Sequence, residues 1–465
     1  MRLQSNDSEK CRGNNYFRLM KAQSYKIIFH SKASSLFVWI FCIVFISCGP
    51  SASIKSSWKK YIKKDSVLTN AHLGIAVMDA ETGEYLFKKQ SDKYFTPASN
   101  TKIFTLYAAM KHLGDSIPTF RYAVTKDTLY IQPMGDPSFL HPDFFAQPAM
   151  DFIKKTNKPV AIINKGWETT AWGSGWAWSD YEAYYMAERS LFPVYGNCIR
   201  FTQTQLANKN SSPSYDYFSS FPQIVFPSEI KADSLKRLSV NRSFDENHFI
   251  IAPGTDTLIS VDVPFITNGT ETAIQLLGSS FQTTSSNIQL HQTLYSIHAD
   301  TLFRKMMMQS DNFFAEQLLL MLSMKKYGVM NEEKVIDSLL KNDLNTLPQA
   351  PQWVDGSGLS RYNLFTPEDF VILLDQMRTE FGMERLKYLF PTGNKGTLKR
   401  YYLEEEGSIF AKTGTLSGVV CLSGYLYTKK NKLLIFSVLV NQHRYSAASV
   451  RRSVERFVRS VRNNN

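Results

Sequence analysis

The stretch Thr96-Pro97-Ala98-Ser99-Asn100-Thr101-Lys102-Ile103-Phe104-Thr105-Leu106-Tyr107-Ala108-Ala109-Met110 decides how this chain is read. It predicts a helix from Pro97 to about Leu113. Thr96 caps it, and Pro97 takes the first turn, where a missing N–H costs nothing. From Ile103 to Met110 the residues are apolar nearly all round, so the helix belongs in the middle of a core. Ser99 and Lys102 stand three apart at its start and share a face. A hydroxyl is a poor nucleophile and needs a base within hydrogen-bond reach. Burial penalises an ammonium, so a lysine on this helix is pushed toward its neutral, basic form. An ordinary exposed lysine fits so apolar a helix poorly.

Two short segments downstream carry matching chemistry. Ser310-Asp311-Asn312 opens an apolar run from Phe313 to Tyr327, and Lys412-Thr413-Gly414 sits on a strand-like stretch. Lys412 brings a second cation. Two unit charges at about 4 Å and an effective dielectric near 20 repel by roughly 4 kcal/mol, enough for about three pKa units. Ser310 is placed to relay a proton between Lys102 and a leaving amine, and Asn312 to hold a substrate amide. The plain alternative for both is a helix N-cap. An extended peptide can pair along the edge of the strand that carries Lys412, Thr413, Gly414 and Thr415. Gly414 permits close backbone approach. The backbone N–H groups of Ser99 and Thr415 are the choice for an oxyanion site.

Working outward, the first 48 residues read as an address. Seven basic residues precede an apolar run from Leu36 to Ile46, about 11 residues long, which suits a signal-peptide core and is too short for a membrane span. The run ends at Ser47-Cys48-Gly49, similar to a lipoprotein cleavage box, which makes Cys48 the expected lipidation site. Met20 is an alternative start. The chain has 465 residues and a formal charge of +12. Residues 1–47 hold seven basic and two acidic side chains, so the remainder carries about +7. With no zinc-finger or RNA-binding motif, nucleic acid is not the expected partner. A mildly basic exported protein suits an anionic wall or membrane surface. Only Cys198 and Cys421 remain beyond the leader, leaving one disulfide open. His291 and His298 could share a helix face, but no HExxH occurs and no metal is expected.

Trp58–Leu68 reads as a basic amphipathic helix, with Leu73–Asp79 and Glu84–Lys89 as strands after it. Between about Gly114 and Leu290 the texture changes to Ser, Thr, Asn, Pro and aromatics with short strand-like runs such as Val160–Ile163 and Leu258–Val263. Helical patterns return at Thr301–Met308, Phe313–Tyr327, Glu332–Leu340 and Pro367–Met377. Strands at Ser408–Lys412, Val419–Tyr427 and Leu433–Asn441 follow. A terminal helix then shows one face of Val450, Val454, Phe457, Val458 and Val461. The implied architecture is a mixed α/β (α+β) fold, an antiparallel sheet between helices built from both ends of the chain. Its expected segments are 55–114 and 286–465, interrupted by a mostly-β insertion at 115–285.

S-x-x-K, S-D-N and K-T-G, in this order, form the set of penicillin-binding proteins and serine β-lactamases. S-x-x-K alone arises by chance in most chains of this size. Together the three are specific. Ser99 and Ser310 lie 211 residues apart, Ser310 and Lys412 only 102, and the long first gap resembles the peptidase S13 family of low-molecular-mass penicillin-binding proteins. Gly135-Asp136-Pro137-Ser138, Trp176-Ala177-Trp178-Ser179-Asp180, Asp355-Gly356-Ser357-Gly358-Leu359-Ser360-Arg361 and Gly396-Thr397-Leu398 also resemble that family. The resemblance runs from about Trp58 to the C-terminus and departs most near 200–250. By themselves Asp136 reads as turn chemistry, Trp176 and Trp178 as packing, and Asp355–Arg361 as a Gly-rich turn beside the cleft.

The resemblance implies a β-lactamase/transpeptidase-like fold and a cofactor-free serine D-Ala-D-Ala carboxypeptidase, with DD-endopeptidase activity as a variant. It would act on peptidoglycan stem peptides in the periplasm, with a membrane anchor through Cys48 and β-lactams as covalent inhibitors. Ser99, Lys102, Ser310, Asn312 and Lys412 would be catalytic, and Thr413, Gly414 and Thr415 would bind substrate. A serine β-lactamase and a catalytically silent peptidoglycan-binding lipoprotein are the alternatives. The first would need a deacylating base, and the chain has no E-x-x-L-N segment of the class A type; the second would not need every motif residue intact.

Overall fold

The computed structural model describes residues 50–205, 216–231, 237–254 and 258–465. The expected leader 1–48, including Cys48, lies outside the described residues, as does part of the divergent stretch 200–250.

Both ends of the chain build one five-stranded antiparallel sheet. Its order is Ile409–Leu416, Val419–Tyr427, Leu433–Asn441, His72–Asp79, Tyr85–Lys89. Strand side chains alternate between faces. Ile75, Val77, Val420, Leu422, Phe436 and Val438 therefore enter one core, while Ala76, Met78, Cys421, Tyr425, Ile435 and Leu439 enter the other. The first core is closed by the C-terminal helix Ala447–Asn464, whose five predicted apolar residues are all buried. Each such side chain contributes about 1.5–3 kcal/mol by leaving water. The second core holds the helix Lys102–His112 against Asn312–Tyr327 and Pro367–Phe381. This is the expected sheet between helices.

Several local expectations change. The first helix is Pro50–Trp58, followed by a π-helical turn Lys59–Lys63, and not Trp58–Leu68. Tertiary packing moves it: Ile54 and Ser57 are buried, and Ser57 Oγ lies 2.8 Å from Ser460 Oγ. Thr96 does not cap the nucleophile helix. Asn441 clamps its backbone instead, accepting from Thr96 N–H at 2.7 Å and donating to Thr96 C=O at 3.0 Å. The helix opens as a 3-10 turn, Ala98–Thr101. The true cap before Phe313 is Asp311, which accepts from Phe314 N–H at 2.9 Å, so neither Ser310 nor Asn312 has that duty. His298 ends a strand and does not share a helix with His291. Cys198 and Cys421 are both free thiols.

The intervening chain forms a mixed five-stranded sheet, ordered Phe281–Thr284, Val160–Ile163, Leu129–Pro133, Ser116–Val124, Gln292–His298. Two three-stranded sheets accompany it, drawn from strands between Cys198 and Pro264. Phe120, Phe139, Phe192, Phe201 and Phe249 fill the core between them. Because Gln292–His298 pairs with Ser116–Val124, this sheet closes at His298, later than the 285 boundary read from composition. Asp136 does more than shape a turn. Buried, it accepts from Thr119 and Ser296 hydroxyls at 2.6 Å each and from Ser138 N–H at 2.8 Å, tying three segments together.

Gly414 joins sheet to nucleophile turn: a Cβ there would sit 2.6 Å from Pro97 O and 3.1 Å from Asn100 N. The close approach it permits is thus to the protein's own backbone. Gly414→Ala is expected to cost about 1–3 kcal/mol in denaturant unfolding, the usual penalty of overpacking. An unchanged midpoint would mean that strand and turn separate freely.

Candidate active site

Ala98 sits at φ +47°, a left-handed conformation that a residue with a Cβ rarely adopts. The kink is held because Ala98 is fully buried and its carbonyl lies against Gly358, itself at φ +79°, where any side chain would collide. Strain of this kind persists where surroundings over-determine it. The next residue, Ser99, is thereby turned into a cavity of about 780 Å³. Ser310, Asn312, Thr413 and Thr415 line the same cavity. Its far wall is the inserted chain, through Ala177, Asp180, Tyr184 and Tyr185.

Lys102 is fully buried, with Nζ 3.1 Å from Ser99 Oγ. It also donates to Asn312 Oδ1 at 2.6 Å and to Ser357 C=O at 2.7 Å. A neutral amine has two N–H bonds and one lone pair. Those two acceptors take the N–H bonds, which leaves the lone pair for the Ser99 hydroxyl. Burial lowers the Lys102 pKa to about 8, against the pull of Asp355, Glu316 and Asp311.

Asn312 is engaged at both ends, its Nδ2 donating to Tyr185 C=O at 2.9 Å. It orients Lys102 through its oxygen, while one of its two Nδ2 hydrogens remains for the cleft it lines. Ser310, at φ +62°, accepts from Lys412 Nζ at 2.7 Å. Lys412 also donates to Thr413 C=O at 2.7 Å. Burial drives the Lys412 pKa well down, and Lys102 and Arg451 push the same way. The expected repulsion between the two lysines therefore shows on Lys412, while burial does the work at Lys102.

Sequence reading left out a supporting layer. Glu316 Oε1 accepts from Ser357 N–H at 2.7 Å, and Asp355 accepts from the N–H groups of Gly358 and Ser360 at 2.8 and 2.6 Å. Together they fix the carbonyl that Lys102 touches. Burial, reinforced by Asp355, raises Glu316 to about pKa 7, while Arg189 Nη1 at 3.5 Å opposes that rise. Trp176 packs as expected, its Nε1 donating to Asp355 at 2.9 Å. Trp178 does not: it is 71% exposed. Glu316 was within reach of sequence reasoning, being four residues and one helical turn beyond Asn312. Ser357 acts through its carbonyl, which leaves no mark in side-chain chemistry.

This Ser–Lys pair, completed by Ser310, Asn312 and Lys412, can be set beside known proteins. The D-Ala-D-Ala carboxypeptidase 3 (S13) family matches residues 55–461. The chain belongs to that family. As an S13 peptidase it is a serine-type D-Ala-D-Ala carboxypeptidase. It is 24% identical to a D-alanyl-D-alanine carboxypeptidase of an Actinomadura species, over 82% of this chain and 80% of that protein. It is 22% identical to penicillin-sensitive carboxypeptidase A of Dictyostelium discoideum, over 77% and 80%. Penicillin binding protein 4 of Haemophilus influenzae shares the fold, with TM-score 0.67 at 19% identity, covering 88% of this chain and 98% of that one. The same protein complexed with a β-lactam superposes with TM-score 0.63 at 18% identity, over 88% and 98%.

If neutral Lys102 is the base of this S13 site, acylation of Ser99 by an activated ester is expected to fall about tenfold per pH unit below about 8 and to level off above it. The sign follows from the base being the deprotonated form. Lys102→Arg, which stays charged, is expected to lose about 10²–10⁴-fold at every pH. A flat profile from pH 6 to 9 would count against this base.

Proposed function

We propose that this chain trims or uncrosslinks peptidoglycan stem peptides through a Ser99 acyl-enzyme. Ser99 Oγ attacks the carbonyl of the penultimate D-Ala, and its proton passes to neutral Lys102. The backbone N–H groups of Ser99 and Thr415 receive the developing oxyanion. The C–N bond then breaks. The proton held by Lys102 reaches the leaving nitrogen by way of Ser310, which Lys412 holds in place. Thr413, Gly414 and Thr415 present the strand edge along which the peptide lies. Water attacks the ester, returns a proton to Ser99 and releases the shortened peptide.

The observation that carries this reading is the lone-pair geometry of Lys102: two acceptors occupy its N–H bonds and Ser99 stands at the third position. The leaving group is a free D-Ala in the carboxypeptidase reaction and a cross-linking amine in the endopeptidase reaction. The step at Ser99 is identical. The cleft that the inserted chain helps to wall has a volume of about 780 Å³, room for more than a single leaving residue. A β-lactam presents the same reactive carbonyl and would acylate Ser99. Such a substrate lies outside the cytoplasmic membrane, which supports export by residues 1–47 and a lipid anchor at Cys48.

Labelled penicillin is expected to mark the wild-type chain covalently and not Ser99→Ala. Digestion of sacculi, followed by mass spectrometry, is expected to show loss of D-Ala from pentapeptide stems, loss of cross-links, or both. Covalent label on Ser99→Ala would sink the assignment.

A further inference from the structure

The first helix keeps on one side a lysine repeat that a regular α-helix would scatter. Lys55, Lys59 and Lys63 stand four residues apart, with Lys60 and Lys64 beside the last two. All five are exposed. On an α-helix a four-residue repeat drifts by about 40° each time, because a turn takes 3.6 residues. Here the α-helix Pro50–Trp58 runs into the π-helical turn Lys59–Lys63, whose wider winding turns less per residue and offsets that drift. Ile54 and Ile62 therefore both stay buried in the core that the last helix closes, and the lysines stay outside.

Among the described residues no carboxylate lies within salt-bridge distance of any of the five. The nearest acid in sequence, Asp65, is held by Arg456 at 2.7 Å. Lys60 and Lys63 lean instead on aromatic faces, with Nζ 4.9 Å from the Tyr61 ring centre and 5.8 Å from that of Trp58. Beside them a polar groove of about 530 Å³ runs between the first and last helices, with Ser56, Lys60, Tyr61, Arg456 and Asn463 in its walls and no carboxylate. Like charges gathered in this way repel one another, so an anionic surface brought against this face relieves them.

The packing of the two helices says which anionic surface. Ser53 Oγ donates to Asn464 C=O at 3.3 Å and Ser57 Oγ meets Ser460 Oγ at 2.8 Å, so the helices run antiparallel. Arg451, near the other end of the last helix, lines the catalytic cavity. Asn464 lies 13 residues beyond it, about 20 Å of helix. Wall peptides have to enter that distant cleft. Pro50, by contrast, follows Cys48 by two residues, about 7 Å of extended chain. An anchored Cys48 brings the start of the lysine face within about a Debye length of the lipid headgroups.

We infer that the face formed by Lys55, Lys59, Lys60, Lys63 and Lys64 docks on the anionic headgroups of a phospholipid bilayer, laying the first helix along the membrane and leaving the cleft uncovered. An acyl chain then holds the protein at the membrane and the basic face sets its tilt, two signals acting together. The placement beside the membrane rests on the anchor proposed for Cys48; the affinity of the lysines for anionic lipid does not.

The test uses residues 48–465 with Cys48→Ser, which hold every described strand and helix and carry no acyl chain. Cosedimentation is run with vesicles of phosphatidylcholine alone and with vesicles in which about one-third of the lipid is phosphatidylglycerol. Binding is expected only to the second, and is expected to vanish as salt rises from about 0.1 to 1 M. Lys55→Gln, Lys59→Gln, Lys60→Gln, Lys63→Gln and Lys64→Gln together are expected to weaken it by more than about 100-fold, at about fivefold for each charge near the surface. A matched variant in which Lys126, Lys154, Lys155, Lys231 and Lys341, all exposed, become Gln is expected to stay within about threefold of wild type. If far-UV circular dichroism shows that the first variant does not fold, Lys59→Gln with Lys63→Gln decides the matter, with a loss of about 10- to 30-fold. Equal losses in the lysine-face and matched variants would reduce the effect to net charge and overturn the proposal. So would a wild type that ignores anionic vesicles, and its sedimentation with sacculi would then name the wall as the partner. Failure of the anchor is separate: palmitate fed to cells would not label the wild-type chain, while vesicle binding would stand.

Discussion

Lys102 has lost its water, and three protein groups stand in its place: Ser99 Oγ, Asn312 Oδ1 and the Ser357 carbonyl. Almost every unusual feature nearby follows from holding those three still. Asn312 is fixed by Tyr185 at the far end of its amide, and Ser357 by Glu316. Ser99 is fixed by the left-handed Ala98, which needs Gly358 against its carbonyl and Gly414 beside Pro97. The acids Asp355, Glu316 and Asp311 oppose the effect of burial, which leaves the lysine at about pKa 8 where full dehydration alone would drive it lower. The base is thus tuned by two opposed effects, of which burial is the larger.

The acids raise a problem of their own, and the structure answers it with an arginine. Glu316 is inside the core one turn from Asn312, beside Asp355. Arg189, also fully buried, bridges Glu316 and Glu332 at 3.5 and 2.9 Å. Arg189 belongs to the inserted chain and the glutamates to the helical part, so the ion pairs also hold the two regions together. Removing one partner of such a group leaves an uncompensated buried charge, which makes the arrangement more a device of position than of net stability. Tyr185, four residues earlier, reaches Asn312 from the same inserted segment. The insertion is therefore part of the site's support as well as a wall of its cleft.

Much of this was legible in the sequence. The strands Val419–Tyr427 and Leu433–Asn441 follow from short, nearly continuous apolar runs, buried on both faces, and the apolar face of the last helix follows from a 3.6-residue period. The motif residues Ser99, Lys102, Ser310, Asn312 and Lys412 do converge. What was not legible came from groups with no side-chain signature or from distant packing. Ser357 acts through a backbone carbonyl. Thr96 has the chemistry of a cap, yet Asn441, far along the chain, claims its backbone first. The start of the first helix is set by Ser460 and its neighbours. Arg451 looks in sequence like one more surface arginine on an amphipathic helix, and only the strand it crosses gives it a place in the cleft.

The central sheet has one further consequence, for the order in which the molecule forms. Its strand His72–Asp79 lies between Tyr85–Lys89, a near neighbour in sequence, and Leu433–Asn441, almost the whole chain away. Before the last strand arrives, the first two are a bare hairpin with an exposed apolar edge, too small to be stable in water. Contacts of such long sequence separation form late, after the entropy of closing the loop has been met. The catalytic sheet therefore cannot assemble on a partly made chain. It forms only once Leu433–Asn441 is free to dock, and until then the nucleophile helix has no floor to rest on and Lys102 remains an ordinary, hydrated, unreactive lysine.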